Sequence, residues 1–143
     1  MDQALKDAIF RAVKQEALCR TFNMELVDLD DGYSLVEMTH DPAAMDNLFK
    51  RIHGGVIFAL IDEAFETVCQ TCGGLTLALN VNVTYVSSPE PGARLRAEAK
   101  EISQSKKTAS YDIKVTDQDG RLIASCQALA FRTGKPLPFM NGN

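Results

Sequence analysis

The sequence predicts an α+β fold, and three observations carry that reading. The chain sets out a helix, two short strands, a loop, a second helix and then four consecutive strands. Consecutive strands joined by short turns form an antiparallel sheet rather than a parallel α/β layer. The second helix is apolar over about half of its circumference, so it must cover one face of a sheet of five or six strands.

Each element follows from a local signal. Leu5, Ala8, Ile9, Ala12 and Val13 recur at helical spacing across residues 2–20. Residues 24–30 and 33–39 are apolar-rich runs around Asp30-Asp31-Gly32, a hairpin signal. Asp41-Pro42 opens a loop that runs to Ile52, and Gly54 to Cys72 forms the second helix. The period then changes to two. Leu75, Leu77, Leu79, Val81 and Val83 alternate with Thr76, Ala78, Asn80, Asn82 and Thr84, which is a strand. Pro89-Glu90-Pro91-Gly92 makes a turn. A strand over Leu95–Ile102 follows, then one through Ala109, Tyr111, Ile113 and Val115. Asp117-Gln118-Asp119-Gly120 turns the chain into a last strand, Leu122–Arg132, and the tail from Thr133 is expected to be irregular.

The composition narrows the function. Residues 1–143 suit a single domain, with 45% apolar and 24% charged residues, a globular balance rather than a disordered one. The net charge of -4 gives no support to a nucleic-acid binder, whose affinity comes from neutralising phosphates. No apolar run approaches the ~18 residues of a membrane helix. Asp2, Lys6, Asp7, Arg11, Lys14 and Glu16 interrupt any secretory signal, so a cytoplasmic protein is expected. A chain this short leaves little room for a cofactor domain, and no cofactor is expected.

Cys19, Cys69, Cys72 and Cys126 need not form disulfides in a domain of this size. Cys69-Gln70-Thr71-Cys72 reads as a redox pair, half a zinc site or two buried thiols. It closes a helix instead of opening one, and no second CxxC or HxxxH supplies further ligands. Packing thiols and no metal are therefore expected.

On a helical wheel, Ile57, Phe58, Leu60, Ile61, Ala64, Phe65, Val68, Cys69 and Cys72 form the sheet-covering face. Glu63, Glu66 and Gln70 lie opposite, with Glu63 turned to solvent or to a partner. Asp62 sits at the edge of the apolar stripe, where partial desolvation makes a carboxylate more basic. The helix opens with His53-Gly54-Gly55. Its first amides have no internal acceptor and lie at the positive end of the dipole, so they suit an oxyanion. The bland alternatives are a tight turn for the glycines, and a capping role for His53. Gly54 and Asp62 are eight residues apart on one helix, about 12 Å along its axis. One reacting carbonyl cannot touch both, so a catalytic reading requires a homodimer with shared sites.

Asn47-x5-His53-Gly54-Gly55-x6-Asp62 resembles acyl-CoA thioesterases of the phenylacetate-pathway type, which have the hotdog fold, an antiparallel sheet wrapped around a long central helix. Asn82-Val83-Thr84-Tyr85-Val86-Ser87-Ser88-Pro89 is similar to that family's strand before a proline turn, and Asp119-Gly120-Arg121-Leu122-Ile123-Ala124 to its last hairpin. The resemblance implies hydrolysis of an acyl-CoA, with a medium-chain or aryl acyl group, to a free acid and CoA. It implies Gly54 or Gly55 as oxyanion donor, Asp62 as base or nucleophile, Asn47 holding water or the carbonyl, and a homodimer or homotetramer. His53 belongs to the same motif. Tyr85, Ser87 and Ser88 are candidates for the pantetheine path, and Lys106, Lys107 and Thr108 for the nucleotide end of CoA. Glu63 and Glu66 depart from the small or neutral residues that usually follow the Asp. The alternatives are a non-catalytic acyl-CoA-binding module and a hotdog dehydratase, which lacks support because no His-Phe-Pro-Gly-like loop is present.

Overall fold

A computed structural model describes residues 1–140 of the chain. The first element is broken. α1 (Gln3–Gln15) starts where the Asp2 side chain accepts the Leu5 N–H, and it stops at Glu16, whose extended backbone separates it from α2 (Ala17–Phe22). β1 (Glu25–Asp30) and β2 (Tyr33–Thr39) form the expected hairpin, with Gly32 at φ +66° in the left-handed region that favours glycine. The loop after β2 holds a short turn of helix, α3 (Pro42–Met45), capped by Asp41. α4 (Gly54–Gln70) is the long central helix. β3 (Gly74–Tyr85), β4 (Arg94–Gln104), β5 (Thr108–Thr116) and β6 (Leu122–Pro136) complete the sheet.

The six strands are antiparallel in the order β1-β2-β4-β5-β6-β3. β6 runs through Thr133 and Gly134 to Pro136, so the expected irregular tail begins as strand. Pairing with Gly74–Thr76 of β3 holds it in place. Residues 141–143, the end of that tail, lie outside the described residues.

The core sits between the sheet and α4. Ala97, Ala99, Ala124 and Ala130 present small, fully covered side chains from the sheet, which lets the helix approach with Leu60, Ile61, Ala64, Phe65 and Val68. Phe65 meets Tyr111 of β5 edge-to-face, with ring centroids 5.4 Å apart, a favourable aromatic geometry.

Two assignments on the helical wheel are corrected. Glu63 is buried rather than turned to solvent, with Gln70 buried on the same side, because α1 covers that side of α4 with Ile9, Ala12 and Val13. Phe58 and Cys72, assigned to the sheet-covering face, are exposed, and Cys72 lies beyond the end of the helix at Gln70. No helix among the described residues is long and apolar enough to cross a membrane.

Candidate active site

The loop that leads into α4 is built around Asn47. Its side-chain Oδ1 accepts the N–H groups of Phe49 (2.9 Å) and Arg51 (3.2 Å), and its own N–H donates to Arg51 O (2.7 Å). Asn is suited to this because its short side chain can mimic a backbone turn. Lys50 takes the left-handed conformation, φ +56°, at the tip. An Asp46–Ile52 bridge and a His53 N–H to Met45 O bond of 2.8 Å close the loop and aim the chain at the helix start. With Oδ1 committed to the loop, the polar atom Asn47 has left for a ligand is its amide NH2.

His53 is the N-cap residue of α4, and its Nδ1 accepts the Gly55 N–H at 3.1 Å. This bond requires the tautomer with the proton on Nε2. The ring therefore works as a cap and occupies the Gly55 donor, which removes Gly55 from the pair of expected oxyanion donors. The Gly54 N–H, at the first helical position, has no acceptor within the helix. Its carbonyl accepts the Tyr85 hydroxyl at 2.9 Å. A Cβ on Gly54 would stand 3.2 Å from Tyr85 Cζ, so glycine is what allows the tyrosine to close over the helix start.

Asn47, Gly54, Ile57, Tyr85, Ser87 and Ser88 line one cleft of about 440 Å³. Residues from the loop, the helix start and the end of β3 thus converge, although they are far apart in the chain. The Ser87 hydroxyl donates to Leu122 O at 2.6 Å, and Ser88 O accepts Arg121 Nη2 at 3.0 Å, so both serines anchor the segment after β3 to β6. Arg51 also lines this cleft, with Nη1 3.3 Å from Glu90 Oε2. This cation is separate from the lysine pair, and its place two residues before the His-Gly-Gly run is its signal in the sequence.

Asp62 is elsewhere. It lines a second cleft of about 230 Å³ with Phe65, Glu66, Cys69, Leu77 and Ala78. Burial raises its pKa above the usual aspartate value, as expected for a carboxyl at the edge of an apolar stripe. Lys106 and Lys107 occupy the turn between β4 and β5, where Ser105 Oγ accepts the Lys107 and Thr108 N–H groups. Lys107 Nζ lies 5.7 Å from the centre of the Phe131 ring. Phe131 pairs with both Thr108 and Leu77, so the lysine turn belongs to the Asp62 end of the sheet. The candidate residues therefore fall into two groups at opposite ends of β3.

The CxxC divides likewise. Cys69 is buried, and burial pushes its thiol up to about 12, the opposite of a redox-active thiolate. Cys72 is exposed and donates its thiol to Cys69 O at 3.3 Å, so only one of the two thiols packs as expected.

The model of the Thioesterase superfamily matches residues 49–124, more than half of the chain. A protein from Archaeoglobus fulgidus that carries an esterase designation is 32% identical over 138 residues, 96% of this chain and 87% of that protein. Acyl-coenzyme A thioesterase PaaI of Escherichia coli is 28% identical over 121 residues, 85% of this chain and 86% of its own. The solved structure of E. coli PaaI, from the phenylacetic acid degradation operon, superposes with a TM-score of 0.88 at 25% identity, covering 93% of this chain and 96% of that one. A Streptococcus mutans protein solved bound to acetyl CoA superposes with a TM-score of 0.75 at 25% identity, covering 80% and 92%.

Proposed function

This chain belongs to the Thioesterase superfamily, and on that premise we propose that it hydrolyses an acyl-CoA thioester to a free carboxylic acid and CoA. The observation that carries the reading is Gly54, whose amide is a helix N-terminal donor and which lines one cleft with Asn47 and Tyr85. The relatives' names, acyl-CoA thioesterase and a protein bound to acetyl CoA, support the substrate class.

In this reading the Gly54 N–H donates to the thioester oxygen as negative charge develops there. One such donor contributes about 3 kcal/mol to the transition state. Asp62 takes a proton from the attacking water, or attacks directly to give an anhydride, and its raised pKa makes it the stronger base. The Asn47 amide NH2 holds the water or the carbonyl. The thiolate leaves without a strong general acid, in keeping with His53 serving as a cap. Tyr85 and the Ser87-Ser88 segment flank the pantetheine path, while Arg51, Lys106 and Lys107 offer charge to the phosphates. The apolar wall beside Phe65 suits a medium-chain or aryl acyl group.

Because Gly54 and Asp62 line different clefts, we assign each site to a homodimer. β3 lies at one end of the sheet, carries no charged residue and exposes Leu77 and Leu79 by 50% and 58%. Two such edges paired antiparallel about a twofold axis near Leu79-Asn80 would bring the Asp62 end of one chain to the Gly54 end of the other, twice. A tetramer of two such dimers, a single domain over residues 1–143 and a cytoplasmic location, where its four free thiols stay reduced, complete the proposal.

A hybrid dimer tests it. Asp62→Asn and Gly54→Val chains, differently tagged and co-expressed, should each be inactive alone. Together they should recover about one quarter of wild-type sites, since half of random pairs are hybrids with one intact site. Hybrids no more active than their parents would overturn the shared site. Failure of the wild-type chain to release free thiol from any of a panel of acyl-CoAs would overturn the hydrolase.

A further inference from the structure

The side of α4 covered by the N-terminal helices holds groups that thioester hydrolysis does not use. Glu63 is 1% exposed, and neither of its carboxylate oxygens has a hydrogen-bond partner. Gln70, on the same cavity wall, leaves its buried Oε1 unpartnered too. Over Glu63 sits the break between the N-terminal helices. Glu16 forms the break itself, and Cys19, 3% exposed, lies in the first turn of α2. One ligand-type atom each from Glu16, Cys19 and Glu63 falls within 4.8 Å of the others.

A buried carboxyl without a partner is costly, and native proteins leave few such groups without a proton, a water or an ion to satisfy them. Burial first raises the Glu63 carboxyl above the usual glutamate range, Cys19 works against the rise, and the charges of Glu16 and Glu66 add to it. Burial likewise raises the Cys19 thiol. Among the described residues, no cation forms an ion pair with Glu16, Glu63 or Glu66. The neutral Cys19 thiol is the donor beside Glu63, and no positive charge offsets the acidic groups gathered here.

We propose that Glu16, Cys19 and Glu63 form a binding site for a divalent transition metal of the zinc type, which clamps the N-terminal helices onto α4. One thiolate with two carboxylates selects a borderline-soft ion over calcium or magnesium, which take oxygen ligands alone. Three protein ligands leave a fourth position for water, and the adjoining cavity of about 360 Å³, lined by Ile9, Val13, Glu16 and Glu63, supplies both the water and the entry path. Binding forms an S–metal bond and two O–metal bonds. It releases the Cys19 proton to solvent, together with the Glu63 proton wherever that carboxyl is protonated, and no electron is transferred. The three ligands come from two distant segments and match no short motif, so sequence spacing alone points to no metal here.

The test uses the untagged, metal-stripped chain. Zinc titrated against a chromogenic chelator should bind at one ion per chain and raise the melting temperature. Cobalt should give a sulfur-to-cobalt charge-transfer band in the near ultraviolet. Cys19→Ser should abolish the band, and both Cys19→Ser and Glu63→Gln should weaken zinc at least about tenfold. Cys72→Ser, which changes an exposed thiol outside the cluster, should leave all three readouts unchanged. If Glu63→Gln fails to fold, the wild-type band and its response to Cys19→Ser decide the matter. No zinc bound by the wild-type chain, or a band lost in Cys72→Ser and kept in Cys19→Ser, would overturn the proposal.

Discussion

The two edges of the sheet are built on opposite principles. β1 is a six-residue strand with a register shift between Leu26 and Asp28 and three acidic residues, Glu25, Asp28 and Asp30. Short, charged edges discourage pairing with another chain, and it is length and charge that set β1 apart, because β3 has register shifts of its own. β3 is twice as long, has no charged residue and holds exposed Leu77 and Leu79. A lone edge of that kind is an aggregation hazard, so its persistence argues for a regular occupant, and a second copy of the same strand is the simplest one. The contrast extends to function, since β3 carries Tyr85 at one end and lines the Asp62 cleft at the other.

Making β3 resemble β1 breaks the comparison most severely. Leu77→Asp with Leu79→Asp should yield a monomer by light scattering, with turnover reduced about 100-fold or more because neither half-site is complete. Full activity in that monomer would place the whole site within one chain. Asp62→Asn should lose a comparable factor while remaining a dimer with wild-type affinity for CoA, which separates chemistry from assembly. Gly54→Ala is expected to cost about tenfold in kcat, since its Cβ displaces the Tyr85 ring and with it the alignment of the helix-start amide.

The acid limb of the rate profile sharpens the assignment of the base. In the proposed mechanism Asp62 works as an anion, and burial raises its folded-state pKa, so kcat/KM should rise with pH through an apparent pKa above the ordinary aspartate value of 3.8. In Asp62→Asn that limb should disappear. The smallest expected effect is at the lysine turn. Lys106→Ala with Lys107→Ala should raise KM for the CoA thioester a few-fold, leave kcat unchanged, and lose the effect at high salt, where exposed charges are screened. A wild-type KM in that variant would move the phosphate contact to Arg51.

Most of the element order was legible in the sequence because it rests on local periodicity. The two-residue alternation of Leu75 to Val83 and the apolar stripe of α4 needed no tertiary information. The Asn-His-Gly-Gly-Asp spacing likewise marked the candidate site. What the pattern left open was decided by neighbours. A helical wheel puts Glu63 opposite the sheet face, and opposite the sheet reads as solvent until α1 is folded over it. His53-Gly54-Gly55 offers two amides, and only the position of the His53 ring shows that Gly55 is already occupied. Strand β6 extends through Gly134 to Pro136 because β3 is there to pair with it, against the local preference of those residues.

The sequence by itself determined the α+β class, the strand order along the chain and the spacing that prevents Gly54 and Asp62 from meeting on one helix. These depend on dihedral preference and on the 1.5 Å rise of an α-helix, which are properties of a segment alone. Tertiary structure decided which faces were buried, which amide was free and which sheet edge was left open. Those depend on what packs against a residue from a distant part of the chain, and no local pattern encodes that.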